Sequence, residues 1–262
     1  MGETLETIRT EIAGKVLTIT LNRPKQMNAI SKKMISELKE TLSAAQEDPE
    51  VWAIILTGNE KVFSAGIDIG EIKEFAGPFA AFAASRRFQD LMVQIENLPK
   101  PVIAAVNGMA LGGGFELMIS CDLRVAALDA RLGTPEVGLG TIPAGGGTTR
   151  LPRMLPFCKA MELLLLGEPV SGSEAAQLGI VNKAVANTDV LATAQALAER
   201  ITEKSPLAVS RIKEIARSSV EVDMLSTLRI EAQSLAILST SEDYKEGTNA
   251  FFARREPEFK GK

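Results

Sequence analysis

Apolar and polar positions along this chain switch repeatedly between two periods. Val16 to Leu21 alternates, as a strand with one buried face does. The Asn-Arg-Pro-Lys stretch behind it ends that strand. Met34, Ile35, Leu38 and Leu42 then fall on one face of a 3.6-residue period, and Ser31 stands where a helix N-cap belongs. After a break at Asp48-Pro49, Val51 to Leu56 is a continuous apolar run closed by Thr57-Gly58. It predicts a strand buried on both faces. Val102 to Val106 and Leu123 to Ala126 predict two more. Short buried strands separated by helical segments predict an α/β fold with parallel pairing through about two thirds of the chain.

From about Phe157 the pattern becomes helical. Met161, Leu164 and Leu165 mark a helix ending near Gly167, and Ser171 to Glu174 offers a capping box for the next. Val181 to Val185 is the last segment expected to be a strand. Helices are predicted over 189–203, 206–217, 222–238 and 242–253.

Composition narrows the chemistry more than the fold. The 262 residues are 45% hydrophobic and 24% charged, as in an ordinary soluble domain, with a net charge of -4. That balance gives no nucleic-acid footprint. There is no histidine. Histidine-based triads, histidine-ligated zinc and histidine proton shuttles are therefore excluded, and acid/base work falls to Asp, Glu, Lys, Tyr or Cys. Cys121 and Cys158 match no metal or redox spacing and are expected to be two buried, reduced thiols. No apolar run approaches the ~18 residues of a membrane span. The N-terminal stretch shows no signal region, so a soluble, cytoplasmic protein is expected.

Two glutamates stand out in this setting. Glu116 closes the run Asn107-Gly-Met-Ala-Leu-Gly-Gly-Gly-Phe-Glu, and Glu136 opens Thr134-Pro-Glu-Val-Gly-Leu-Gly-Thr-Ile-Pro. Both are framed by glycine, proline and apolar residues, where a carboxylate is costly without partners or a task. Gly112 to Gly114 would leave amide hydrogens bare at a helix N-terminus, which suits an oxyanion; a first-turn glutamate that only complements the dipole fits the same pattern. Phe63-Ser-Ala-Gly-Ile-Asp68 is a second such turn, with the Ile67 amide as its candidate donor. Gly145 to Gly147 lacks the Gly-Lys-Ser/Thr ending of a phosphate loop.

Taken in order, Leu21-Asn-Arg-Pro-Lys-Gln-Met-Asn-Ala-Ile30, Phe63 to Asp68, Asn107 to Glu116, Cys121-Asp122, Thr134 to Arg150 and Ser241-Glu-Asp-Tyr-Lys-Glu-Gly-Thr-Asn-Ala-Phe-Phe resemble the enoyl-CoA hydratase/isomerase (crotonase) family along nearly the whole chain. The resemblance implies a crotonase-like spiral of ββα turns, with residues 1–200 as the catalytic, acyl-CoA-binding domain. It implies a helical oligomerisation region over residues 201–262, building a homotrimer or a dimer of trimers. The substrate it implies is an acyl-CoA thioester, with no nucleic-acid or membrane partner, no metal and no cofactor beyond the coenzyme A of the substrate.

On that resemblance the amides of Ile67 and Gly113 bind the thioester oxygen, while Glu116 and Glu136 share the water and protons of a 2-enoyl-CoA hydration, as in fatty-acid β-oxidation. Contacts to coenzyme A are implied for Lys25, Gln26 and Met27, for Ala65, Gly66, Asp68, Ile69 and Gly70, and for Phe251 and Arg254 from a neighbouring subunit. There are departures. Gly70 stands where a lysine is common, and Ala144 where many hydratases have glycine. Phe75, Phe79, Phe82 and Phe88 fall in a segment that shapes the acyl pocket in the family, although an apolar helical face is more often plain core. A double-bond isomerase, a hydratase or dehydratase of a cyclic or branched acyl-CoA, and a silent scaffold or RNA-binding member are the competing readings.

Overall fold

The computed structural model describes residues 2–73 and 77–262. Its strands are β1 (Glu3–Thr4), β2 (Ile8–Ala13), β3 (Val16–Leu21), β4 (Ala53–Thr57), β5 (Val62–Ser64), β6 (Val102–Val106), β7 (Met109–Leu111), β8 (Leu123–Ala127), β9 (Arg131–Gly133), β10 (Val170–Ser171) and β11 (Lys183–Val185). Its α-helices are α1 (Lys32–Glu47), α2 (Ile69–Lys73), α3 (Pro78–Asn97), α4 (Gly113–Ser120), α5 (Gly147–Met154), α6 (Phe157–Leu166), α7 (Gly172–Gln177), α8 (Val190–Thr202), α9 (Pro206–Ser218), α10 (Met224–Leu238) and α11 (Glu242–Ala253).

The strands form two sheets. A seven-stranded sheet has the order β1-β2-β3-β4-β6-β8-β11, and a four-stranded sheet has the order β10-β9-β7-β5. β3, β4, β6, β8 and β11 pair in parallel, as do β5, β7 and β9. β4, β6 and β8 each belong to the large sheet, and β5, β7 and β9 follow them in the small one. A helical segment then carries the chain to the next turn, which is the ββα spiral of the crotonase fold.

The central strands explain themselves. Every residue of β4 and β6 is buried, as a parallel strand covered on both faces requires. α8 packs on β3, β4, β6 and β8. It buries Val190, Ala194 and Ala198, spaced four apart and small enough for close approach. Ser31 caps α1, its Oγ accepting from the Met34 amide at 3.2 Å, and the predicted apolar face is buried. The capping box of α7 forms at Ser171 and Glu174.

Some expectations shift. The second buried strand starts at Ala53 rather than Val51, because the Trp52 amide is still turning in to the Lys15 carbonyl at 2.8 Å. The short strands of the small sheet were hidden inside segments that read as glycine turns. In α6 the residues turned inward are Ala160 and Leu163, while Leu165 is exposed. Cys158 is also exposed, contrary to the expectation of two buried thiols; it lies on an outer position of α6. Cys121 is buried, and burial pushes its thiol up to about 12. Both thiols are free.

The C-terminal helices are tied to the α/β body through charge. Lys213 of α9 donates to the carbonyls of Ile95 and Lys100 and pairs with Asp122 at 2.7 Å. The chain end folds back onto α11, where Asp243 accepts from the amides of Lys260 and Gly261. Among the described residues no helix is long and apolar enough to cross a membrane.

Candidate active site

The first half of the site is a turn held in place by its neighbours. Ile30 and Ile67 form a parallel bridge: the Ile30 amide donates to the Gly66 carbonyl at 2.8 Å, and the Asp68 amide donates to the Ile30 carbonyl at 3.0 Å. Successive amides of an extended segment point to opposite sides. The Gly66 carbonyl and the Asp68 amide therefore face Ile30, and the Ile67 amide faces away. The Gly66 amide is taken by Ser64 Oγ at 3.2 Å. Within the described residues the Ile67 amide has no acceptor.

The second half is the start of α4. Gly112 has φ 53, so the chain turns into the helix through a conformation that favours glycine. All eight residues of α4 are buried. Its first amide, Gly113, has no acceptor among the described residues and carries the positive end of the helix dipole. The two turns abut. A Cβ on Gly113 would lie 3.3 Å from the Ile67 nitrogen, and one on Gly66 would lie 3.3 Å from the Gly113 nitrogen. Glycine at both positions lets two unpaired amides share one small space, a geometry suited to a developing oxyanion.

Glu116 lies on the first turn of α4 and is 2% exposed. It does not serve its own helix. Its Oε1 accepts from the Gly147 amide of α5 at 2.8 Å, and its Oε2 lies beside Gly145, where a Cβ would come within 2.6 Å. Desolvation raises its pKa to about 7; the hydrogen bond from Gly147 opposes this, and the charge of Glu136 adds to it. The Gly145 to Gly147 run therefore gives its last amide to a carboxylate of the same chain.

Glu136 sits in a 3-10 turn over Pro135–Leu139, with its Oε1 against Gly112: a Cβ there would lie 2.9 Å away. Its Oε2 is buried without a hydrogen-bond partner among the described residues, as is Thr134 Oγ1. Burial raises its pKa as well. Two carboxylates, both pushed upward in pKa by burial, thus border the helix start that carries the unpaired amides.

The other segments singled out in the sequence fall in two places. Lys25 and Gln26 end a 3-10 turn over Pro24–Gln26 and are exposed, with Met27 exposed behind them at φ 49. They are tied to the Ala65–Asp68 turn in two ways: the Ala65 amide donates to the Met27 carbonyl at 3.0 Å, and Arg23 pairs with Asp68 at 2.9 Å. Ile69 and Gly70 open α2, both exposed. Phe251 and Arg254 lie at the exposed end of α11.

Phe88 is buried against Gly145, beside Glu116, whereas Phe79 and Phe82 are 87% and 67% exposed and are not core. Phe75 lies outside the described residues. Sequence reasoning missed Asn28, whose amide donates to the carbonyls of Val62 and Phe63 at 3.1 Å and joins the two segments. It also gave no role to Glu96 or to Arg150, which form a paired fork behind Gly145. A positive φ of 53 at Asn28 is invisible in a single sequence.

Two unpaired amides beside one buried and one half-buried carboxylate suit an acid/base enzyme acting next to an activated carbonyl. The model of the family described as enoyl-CoA hydratase/isomerase matches residues 11–262. The chain is 42% identical over 247 residues to a probable enoyl-CoA hydratase of Bacillus subtilis, covering 94% of this chain and 95% of that one. It is 40% identical to a crotonyl-CoA hydratase of Syntrophomonas wolfei, covering 97% and 98%. A crystal structure of an enoyl-CoA hydratase from Bacillus anthracis superposes with a TM-score of 0.94 at 37% identity, covering 98% and 100%. The chain belongs to the enoyl-CoA hydratase/isomerase family.

Proposed function

We propose that this enzyme is a 2-enoyl-CoA hydratase, adding water reversibly across the α,β double bond of an enoyl-CoA thioester to give a 3-hydroxyacyl-CoA. The observation that carries the reading is the pair Glu116, buried, and Glu136, half-buried with its Oε2 out of solvent, beside the unpaired amides of Ile67 and Gly113. An isomerase, which only moves a proton between carbons, has use for one such carboxylate.

In this reading Glu116, in its charged form, takes a proton from water as the oxygen attacks Cβ. The π electrons move toward the thioester, and the negative charge that collects on its oxygen lies between the amides of Ile67 and Gly113. Each such donor is worth about 3 kcal/mol when aimed at the oxyanion. Glu136, whose carboxyl burial pushes upward from its ordinary pKa, delivers a proton to Cα. A proton returned from Glu116 to Glu136 through solvent restores the pair. None of these steps calls on a metal or a separate cofactor.

Lys25, Gln26 and Met27 on one side, and Ala65, Gly66, Asp68, Ile69 and Gly70 on the other, would hold the coenzyme A moiety. The Arg23–Asp68 pair fixes the spacing of these two walls. Phe251 and Arg254 would reach the coenzyme A of a neighbouring subunit in a homotrimer or a dimer of trimers. Exposed Met224, Leu225, Leu228, Leu235 and Ile237 on α10 support such an assembly. Two free cysteines, one of them exposed, fit a reducing, cytoplasmic compartment.

The test is turnover of crotonyl-CoA, followed by loss of the conjugated enoyl-thioester absorbance, with product analysis. The expected product is 3-hydroxybutyryl-CoA. Interconversion of 3-enoyl and 2-enoyl thioesters without hydration would replace this reading with that of an isomerase.

A further inference from the structure

The glycine run 145–147 is built around a guanidinium. Arg150 on α5 makes a two-pronged contact with Glu96 of α3, Nε to Oε1 at 2.7 Å and Nη2 to Oε2 at 2.6 Å. Its remaining arm, Nη1, donates to the Gly145 carbonyl at 3.0 Å. Gly146 has φ 119, and any Cβ there would fall on that guanidinium. The next amide, Gly147, is the one that donates to Glu116. On the other side of the loop, Ser85 and Gln89 of α3 both donate to the Ala144 carbonyl at 2.8 Å. Two successive carbonyls of the loop are thus gripped from α3, one directly and one through Arg150.

The grip extends further. Glu96 also accepts from Arg217 of α9 at 3.1 Å. Arg217 in turn donates to Asp122 at 2.8 Å and to the Ser120 carbonyl at the end of α4 at 3.0 Å. Arg150 is 16% exposed and Glu96 19%, so little solvent screens their contact.

We propose that Arg150, locked by Glu96, is a positioning residue for the hydration reaction: it pins the Gly145 carbonyl so that the Gly147 amide stays aimed at Glu116, and it places a fixed positive charge behind that carboxylate. This rests on the hydratase reading of Glu116. Glu136 and Arg150 are the charged groups that act on Glu116, with opposite sign: Glu136 raises its pKa and Arg150 lowers it. Removing Arg150 leaves Glu136 unopposed. Glu116 then holds its proton to higher pH, and the base form needed for water attack appears later.

The experiment compares wild type, Arg150→Met, Arg150→Lys and Glu96→Gln on crotonyl-CoA across pH, together with thermal unfolding of each. Arg150→Met is expected to lower kcat by about tenfold or more, with a much smaller change in KM, and to shift the acidic limb of the pH profile upward by about half a unit. Arg150→Lys keeps a positive charge but cannot form the fork. It is expected to restore the position of the limb while kcat stays low. Glu96→Gln keeps an acceptor and is expected to fall between.

An Arg150→Met enzyme with wild-type kcat overturns the proposal. So does a fall in kcat that tracks lost thermal stability while the limb stays in place in both Arg150 variants. Should Arg150→Met not fold, the Arg150→Lys split between limb position and kcat decides alone: a wild-type kcat or a limb shifted upward overturns the proposal. An inactive wild type, by contrast, would remove the hydratase reading itself.

Discussion

At the scale of residues, Glu116 shows how a single side chain is given a task by its surroundings. Its carboxylate is almost wholly removed from water, has one strong backbone donor and feels a second carboxylate nearby. The sign of the resulting linkage is definite. With the folded pKa raised from 4.5 to about 7, the native state binds more protons than the unfolded chain between those values. Stability contributed at this site is therefore full below about pH 4.5 and is lost as pH rises toward 7. Glu116→Gln keeps an acceptor for Gly147 and removes the charge. It is expected to be more stable than wild type at pH 8, by on the order of 3 kcal/mol at most, and close to wild type near pH 4. Denaturant unfolding at the two pH values measures the difference; equal stability differences at both would show that Glu116 does not titrate abnormally.

The sequence exposed much of this scale and concealed part of it. Glu116 and Glu136 were legible because carboxylates among glycines and apolar residues are costly unless used. The charge-bearing partner Arg150 was not, because an arginine three residues past a glycine run reads as surface until its fork to Glu96 is seen. Nor was the difference between a phosphate loop and a loop serving a carboxylate fully visible. The missing Gly-Lys-Ser/Thr ending argued against phosphate, and only the structure supplied the occupant, Glu116 Oε1.

At the scale of elements, the site depends on α4 lying tightly against the end of β5. Gly114 makes this possible, since a Cβ there would fall on the Ser64 carbonyl, with the Ser64 side chain 2.7 Å away. Gly114→Ala must push α4 from β5 and separate the amides of Ile67 and Gly113. Overpacking of this kind costs about 1–3 kcal/mol. The variant is expected to lose that stability in thermal unfolding and to lose activity well beyond it, because both oxyanion donors move relative to each other. Wild-type kcat at reduced stability would show that the two turns need not be in register.

Strands β3, β6 and β8 and helices α1, α9 and α11 were readable from periodicity and capping. β5, β7 and β9 were not, because three-residue strands carry too few side chains to show a period, and their pairing is set by the larger sheet beside them.

At the scale of the whole molecule, a spiral of ββα turns stacks the ends of β5 and β7 side by side, so that turns distant in sequence share one site. The C-terminal helices join this body through Lys213 and Arg217, both anchored on Asp122. The assembly proposed for α10 would therefore be connected mechanically to α3 and α4, the helices that hold Glu96 and Glu116.

The proposed hydration turns on two carboxylates sharing one water. Its most direct measurement is kcat for crotonyl-CoA hydration by Glu116→Gln and, separately, by Glu136→Gln. Each is expected to fall by about 10²–10⁴-fold, since each removes a positioned acid or base while leaving shape unchanged. A Glu116→Gln enzyme that hydrates at the wild-type rate would contradict the account.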